Sequence, residues 1–129
     1  MKPLLPPGWP RPKGYAAGVV ASGTLVFISG QIGWDANERL VGDDLASQVR
    51  QALHNVVAIL AEAGATPEHL ARLTWYVTDR DEYVARRAEI GAAYREIIGR
   101  HFPAMAVVEV SRLVEPGALV EIEATAVLP

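Results

Sequence analysis

Two stretches of the chain repeat apolar residues at helical spacing. The first begins after Asp43 and Asp44, either of which can cap a helix, and ends at Gly64. The second follows Asp79, which forms a pattern similar to a capping box with Glu82. The sequence therefore predicts two helices. Their apolar stripes are Leu45, Val49, Leu53, Val56, Leu60 and Ala63 in the first, and Tyr83, Arg87, Ile90, Tyr94 and Ile97 in the second, which Gly99 ends.

Five other segments have the composition and the alternation of β-strands. In the last of them Val120 and Ile122 alternate with Glu121 and Glu123, so one face is apolar and the other carries carboxylates. The first two segments are separated only by residues 22–24, which predicts a hairpin. The predicted strands are Ala16–Ala21, Leu25–Ser29, Leu70–Thr78, Ala104–Ser111 and Leu119–Val127.

The predicted order β-β-α-β-α-β-β indicates an α+β fold, with one mixed sheet and two helices on a single face. Two helices leave the other sheet face uncovered. We therefore expect the chain to form a homo-oligomer through that face.

Composition and charge narrow the function classes. The chain has 129 residues, which is the size of one domain, and no cysteine, which excludes disulfides, thiolate metal sites and cysteine nucleophiles. The net charge of −3 gives no electrostatic reason to expect nucleic acid as a partner. No apolar run is long enough to cross a membrane, and no signal peptide is evident, so a cytoplasmic protein is expected.

The first 13 residues contain five of the nine prolines and both lysines. A segment with so few backbone donors is expected to run over the surface as an extended arm, with Trp9 as a possible anchor. The domain proper is then expected to span residues 14–129.

Several kinds of chemistry are disfavoured by what the chain lacks. His54, His69 and His101 do not have the spacing of metal ligands, and no nucleophile elbow, phosphate loop or dinucleotide fingerprint occurs. No metal and no organic cofactor is therefore expected.

Four stretches, in this order and spacing, resemble the Rid family of reactive-intermediate deaminases (the RidA/YjgF group). The resemblance extends over nearly everything after residue 13. The stretches are Gly14-Tyr15 with Gly18-Val19, the run Phe27-Ile28-Ser29-Gly30-Gln31-Ile32, the helix from Gln48 to Gly64, and the tail with Phe102-Pro103-Ala104-Met105, Val108-Glu109-Val110, Leu113 and Glu121-Ile122-Glu123-Ala124.

The resemblance implies a chorismate-mutase-like fold, a homotrimer and ligand clefts between subunits. It also implies a hydrolase for enamines or imines, in which Glu121 positions water as the catalytic residue and Tyr15 and Ser29 line the pocket. Gly30, Val107 and Arg87 complete the expected substrate-binding set together with Met105.

Met105 is the main departure from the family pattern, because it occupies the position of an arginine that grips the substrate carboxylate. A methionine side chain offers a polarizable apolar surface but no hydrogen-bond donor. We therefore expect a substrate without a small free carboxylate. Arg87 and Arg112 are the candidates for a replacement cation.

Each of these residues also has a structural interpretation. Glu121 can be part of a solvent-facing acidic strand, Tyr15 a packing residue and Ser29 a turn residue. A non-catalytic trimeric binding or regulatory protein is therefore the alternative function. A ribonuclease is disfavoured, because the chain shows neither a histidine pair nor a basic stripe with aromatic residues.

Overall fold

The main sheet has four strands in the spatial order β3-β6-β4-β5. The computed structural model describes residues 1–129. Its strands are β1 (Lys2–Leu4), β2 (Gly18–Val20), β3 (Thr24–Ile32), β4 (Leu70–Val77), β5 (Ala104–Glu109) and β6 (Val120–Leu128), and its helices are α1 (Leu45–Glu62), α2 (Arg80–Ala85) and α3 (Arg87–Ile97). A single 3-10 turn, Pro67–His69, precedes β4.

Strand β6 pairs antiparallel with both β3 and β4, whereas β4 and β5 are parallel, so the sheet is mixed and the predicted α+β class is confirmed. Helix α1 packs on β3 and β6, and α3 packs against α1. None of the helices is both long and apolar enough to cross a membrane.

The helices cover one face of this sheet and leave the other bare. Val120, Ile122, Ala124 and Ala126 of β6 are buried in the core that α1 and α3 share with the sheet, as the alternation predicts. On the bare face the side chain of Phe27 is 74% exposed, and Leu25 is 54% exposed. Large apolar side chains at this exposure need a partner surface.

The first predicted helix is confirmed at both ends. The Asp44 side chain accepts a hydrogen bond from the backbone N–H of Ser47 at 2.9 Å, and this bond lowers the pKa of the Asp44 carboxyl. Gly64 follows the helix with a φ of 72°, a left-handed conformation that favours glycine.

The prediction of a single second helix is wrong, because the chain breaks at Arg86 into α2 and α3. Arg86 leaves helical geometry at φ −103° and ψ 14°. Its guanidinium bridges the break by pairing with Glu82 before it and Glu89 after it. The expected cap is nevertheless present, since the Asp79 side chain accepts from the backbone N–H of Glu82 at 3.0 Å.

The predicted hairpin is also wrong. Strand β2 pairs antiparallel with β1, from within the proline-rich segment, and β3 pairs with β6 instead. Gly23 sits directly against the carbonyl of Leu128, where any Cβ would collide, so the close approach of the chain to β6 at this point requires glycine. The arm is thus partly a folded element, and Trp9 does not anchor it, since its side chain is 62% exposed.

Gln48 is the one buried polar side chain of the core. Its Nε2 donates to the carbonyls of Gly42 and Gly117 at 2.8 and 3.0 Å, and its Oε1 accepts from the N–H of Leu119 at 2.8 Å. One side chain on α1 therefore provides hydrogen-bond partners for backbone groups in two loops and in the segment that leads into β6.

We expect Gln48→Leu to destabilise the protein by about 3 kcal/mol, because it leaves three buried backbone groups without partners. Urea denaturation at one fixed protein concentration measures the effect, with the exposed His54→Ala on the same helix as control. A loss for Gln48→Leu no larger than that of the control would contradict the role given to Gln48.

Candidate functional site

A cavity of about 810 Å³ lies between strands β4 and β5 on one side and helices α2 and α3 on the other. Met105, Val107 and Glu109 of β5 pair with Leu73, Trp75 and Val77 of β4. Paired residues point to the same side of a sheet, so these β5 side chains face the helices. Met105 and Val107 line the cavity, and Arg87 of α3 lines it from the helix side.

Tyr15 reaches this cavity because the segment before β2 runs along the edge of β5. The N–H of Ala16 donates to the carbonyl of Pro103 at 3.0 Å, and Ala16 forms a parallel bridge with Ala104. This pairing places residues 13–15 in the cavity lining. The Tyr15 side chain is 46% exposed and is free to contact a bound molecule.

Aromatic rings form much of the remaining wall. Trp75 and Tyr83 meet edge to face with ring centroids 6.4 Å apart, and Tyr94 stacks on Phe102 at 5.6 Å. Burial raises the pKa of the Tyr83 and Tyr94 hydroxyls, so both stay protonated at neutral pH. The Tyr94 hydroxyl donates to the carbonyl of His101 at 2.7 Å.

The wall is also basic. Lys13, Arg80, Arg87 and Arg95 line the cavity, and Glu109 is the only carboxylate among the lining residues. Glu109 accepts from the backbone N–H of Arg80 at 2.8 Å. No cluster of three or more metal-ligating side chains occurs in the chain. Arg112, the other candidate for a replacement cation, is not among the residues of the cavity wall.

A second group of the expected site residues lies where β3 meets β6. The pairing of these strands shifts between Ile28 and Gln31, so Ser29 and Gly30 form an irregularity in the ladder. Such a bulge re-aims the side chains around it. The Glu121 side chain lies over Gly30, where an added Cβ would come within 2.6 Å of its Cδ and Oε2. A side chain at residue 30 would therefore displace this carboxylate.

Ser29 faces a smaller cavity of about 430 Å³ on the bare side of the sheet, with Phe27, Thr74 and Glu123 among its lining residues. The Tyr76 hydroxyl donates to Glu123 Oε1 at 2.7 Å, and this bond raises the pKa of Tyr76. Glu123 is therefore paired with another side chain, whereas no side-chain partner is recorded for Glu121 within the chain.

The expected site residues thus fall into two groups that one chain does not bring together. Tyr15, Arg87, Met105 and Val107 share the helix-side cavity, whereas Ser29, Gly30 and Glu121 lie on the other side of the sheet. Strands β3 and β5 are opposite edges of the sheet, which at ordinary strand spacing are about 14 Å apart.

Sequence reasoning missed several residues of the cavity wall, namely Trp75, Tyr83, Tyr94, Arg95 and Lys13. The apolar stripe of the second helix contained the signal, because it placed Tyr83 and Tyr94 on one face with Arg87. Apolar periodicity predicts which residues share a helix face, but it does not show that part of this face lines a cavity.

Comparison with known proteins connects this arrangement to a family. Residues 10–128 match the family model described as "Endoribonuclease L-PSP". The chain is 36% identical over 118 residues to a RutC family protein of Pyrococcus horikoshii, covering 91% of this chain and 90% of that protein. It is 37% identical over 108 residues to a 2-iminobutanoate/2-iminopropanoate deaminase of Salmonella typhimurium, covering 81% and 80%.

A solved structure of a Rid family protein has the same fold as this chain. A conserved Rid family protein of unknown function from Yersinia pestis superposes with a TM-score of 0.84 and 37% identity, covering 98% of each chain. The chain therefore belongs to the Rid (YjgF, Ribonuc_L-PSP) family.

Proposed function

We propose that the protein is a homotrimeric hydrolase for reactive imines or enamines, with each active site completed by two copies. The observation that carries the proposal is the division of the site. Tyr15, Met105 and Val107 lie at the β5 edge, and Ser29 and Glu121 lie toward the β3 edge on the other side of the sheet. Only a second copy can bring a β3 edge to a β5 edge.

The symmetry of such a contact follows from its two different surfaces. When one surface of a copy binds a different surface of the next, the contact repeats head to tail, and it closes into a ring of three when each copy is rotated by one third of a turn from the last. A ring of three copies forms three equivalent sites. Phe27, Leu25 and Val108, all exposed, supply the apolar contact area that such a ring needs.

Glu121 is the group with the required chemistry in the β3 half. Its carboxylate accepts a proton from water, and the water oxygen attacks the imine carbon to give a carbinolamine. The carboxylate returns this proton to the nitrogen and then passes the hydroxyl proton of the carbinolamine to it as well, the C–N bond breaks, and ammonia and a carbonyl compound leave. Tyr15 and Ser29 orient the substrate. The reaction needs no redox partner.

Met105 determines which imine is accepted. An arginine at this position would place two charge-assisted hydrogen bonds on a carboxylate next to the imine carbon, each contributing about 1.5–3 kcal/mol. The Met105 side chain supplies neither. The preferred substrate therefore has no small carboxylate beside the imine, and the volume of the cavity suits a larger apolar group.

The relative named as a 2-iminobutanoate/2-iminopropanoate deaminase supports the reaction class. In this chain, Glu121 is the proposed base and Met105 is the proposed determinant of substrate choice. The alternative is a trimeric binding or regulatory protein that has the cleft without the chemistry. A protein that binds imine analogues but hydrolyses no imine would establish that alternative.

Glu121→Gln keeps the shape of the side chain and removes the base, so we expect ammonia release from a bulky enamine without a carboxylate next to the reacting carbon to fall at least about a hundredfold. Gly30→Ala should lower activity too, because the added methyl group displaces the Glu121 carboxylate. Ammonia release is followed in a coupled assay, with the exposed Glu68→Gln as control. Full activity in Glu121→Gln would contradict the assignment.

Phe27→Glu should convert the trimer to monomers and abolish activity, because it places a charge in the proposed contact surface. Light scattering during size-exclusion chromatography measures the mass. Val114→Glu introduces the same charge at a fully exposed position in the β5–β6 connection and should leave the trimer intact. If the wild-type protein is a monomer at micromolar concentration, the shared site is ruled out.

Met105→Arg should raise kcat/KM for 2-iminopropanoate at least about tenfold, because it restores a bidentate partner for the carboxylate next to the imine. Met105→Leu is the matched control, since it keeps the site apolar and should not help this substrate. A folded, trimeric Met105→Arg variant without this gain would show that the rest of the site also differs from carboxylate-binding relatives.

A further inference from the structure

The charge of the helix-side cavity is opposite to that of the whole chain. The chain has a net charge of −3, yet its cavity wall carries four cations and one carboxylate. Of the cations only Arg80 makes an ion pair, with the exposed side chain of its neighbour Asp81. Lys13, Arg87 and Arg95 have no carboxylate within ion-pair distance. Free cations collected around a concave site favour an anionic ligand.

Two of these cations lie on the same helix, α3. Arg87 and Arg95 are two turns apart on one face of the helix, with Gly91 midway between them. Nη1 of Arg95 lies 3.3 Å from the point that a Cβ on Gly91 would occupy. The Arg95 guanidinium therefore folds back one turn toward Arg87. A glycine inside a helix costs about 1 kcal/mol relative to alanine, and here it leaves room for the Arg95 side chain.

The same cavity also has an apolar surface beside Met105. Trp75, Tyr83 and Phe102 line the same cavity, whose volume of about 810 Å³ far exceeds what a three- or four-carbon imino acid fills. The body of a molecule that filled the cavity would contact aromatic rings, and one of its ends would reach the guanidinium groups of α3.

The geometry points to a ligand with an aromatic or branched apolar body and a carboxylate at its far end, held by Arg87 and Arg95. This inference rests on the proposed function only in placing the imine carbon of such a substrate near Met105 and Tyr15. The carboxylate is recognised from α3, away from the reacting carbon, in place of the β5 arginine that the chain lacks.

Calorimetric titration with 3-phenylpropionate and with its neutral amide tests the site without requiring any reaction. The trimeric wild-type protein should bind the carboxylate at least about tenfold more tightly than the amide, because charge-assisted bonds are the stronger ones. Arg87→Met and Arg95→Met should each remove most of that preference. Arg112→Met removes an exposed arginine outside the cavity wall, with the same change in net charge, and should leave the preference unchanged.

Equal binding of carboxylate and amide by the wild-type protein would overturn the inference, and so would an equal effect of all three arginine variants. Thermal unfolding shows whether each variant is folded. Gly91→Leu gives a second route, since a side chain at this position displaces Arg95 and fills the cavity, and it should abolish binding. A protein that prefers the carboxylate but hydrolyses no imine would refute the proposed function alone.

Discussion

The helices of this chain cover only one face of its four-stranded sheet, and the rest of the structure depends on this constraint. The covered face forms the core around α1 and α3, where Gln48 ties α1 to the loop before it and to the segment before β6. The bare face exposes Leu25 and Phe27. Exposed apolar side chains such as these gain free energy when association buries them, roughly 25 cal/mol for each Å² of apolar surface.

The same constraint explains why the expected site residues are separated. Alternation along β5 sends Met105 and Val107 to the helix side, and alternation along β6 sends Glu121 to the bare side. The proposed binding cavity and the proposed base therefore lie on opposite sides of the sheet of one chain. In this account the contact between copies supplies apolar burial and assembles the chemistry at the same time. The cations of α3 then favour a ligand that carries a carboxylate.

Much of the fold could be predicted from local pattern, and the exceptions have physical reasons. The caps at Asp44 and Asp79 and the alternation in β6 are local signals, and all three are confirmed. The pairing of β2 with β1 is not local, since it depends on how the proline-rich segment between them folds back to bring the two strands together. The cavity was missed because apolar periodicity does not distinguish a buried helix face from the wall of a hollow. Family resemblance predicts Tyr15, Met105 and Glu121 as site residues, but their separation by the sheet could be seen only in three dimensions.

The central claim is that each site takes its cavity from one copy and its carboxylate from the next, and subunit mixing tests it directly. Val107→Trp fills the cavity and Glu121→Gln removes the base, so homotrimers of either variant should be inactive. When the two are unfolded together and refolded as an equal mixture, random assembly into rings should give about one quarter of the sites two intact halves. The account predicts recovery of roughly that share of wild-type activity. Mixed trimers that form but remain inactive would contradict it.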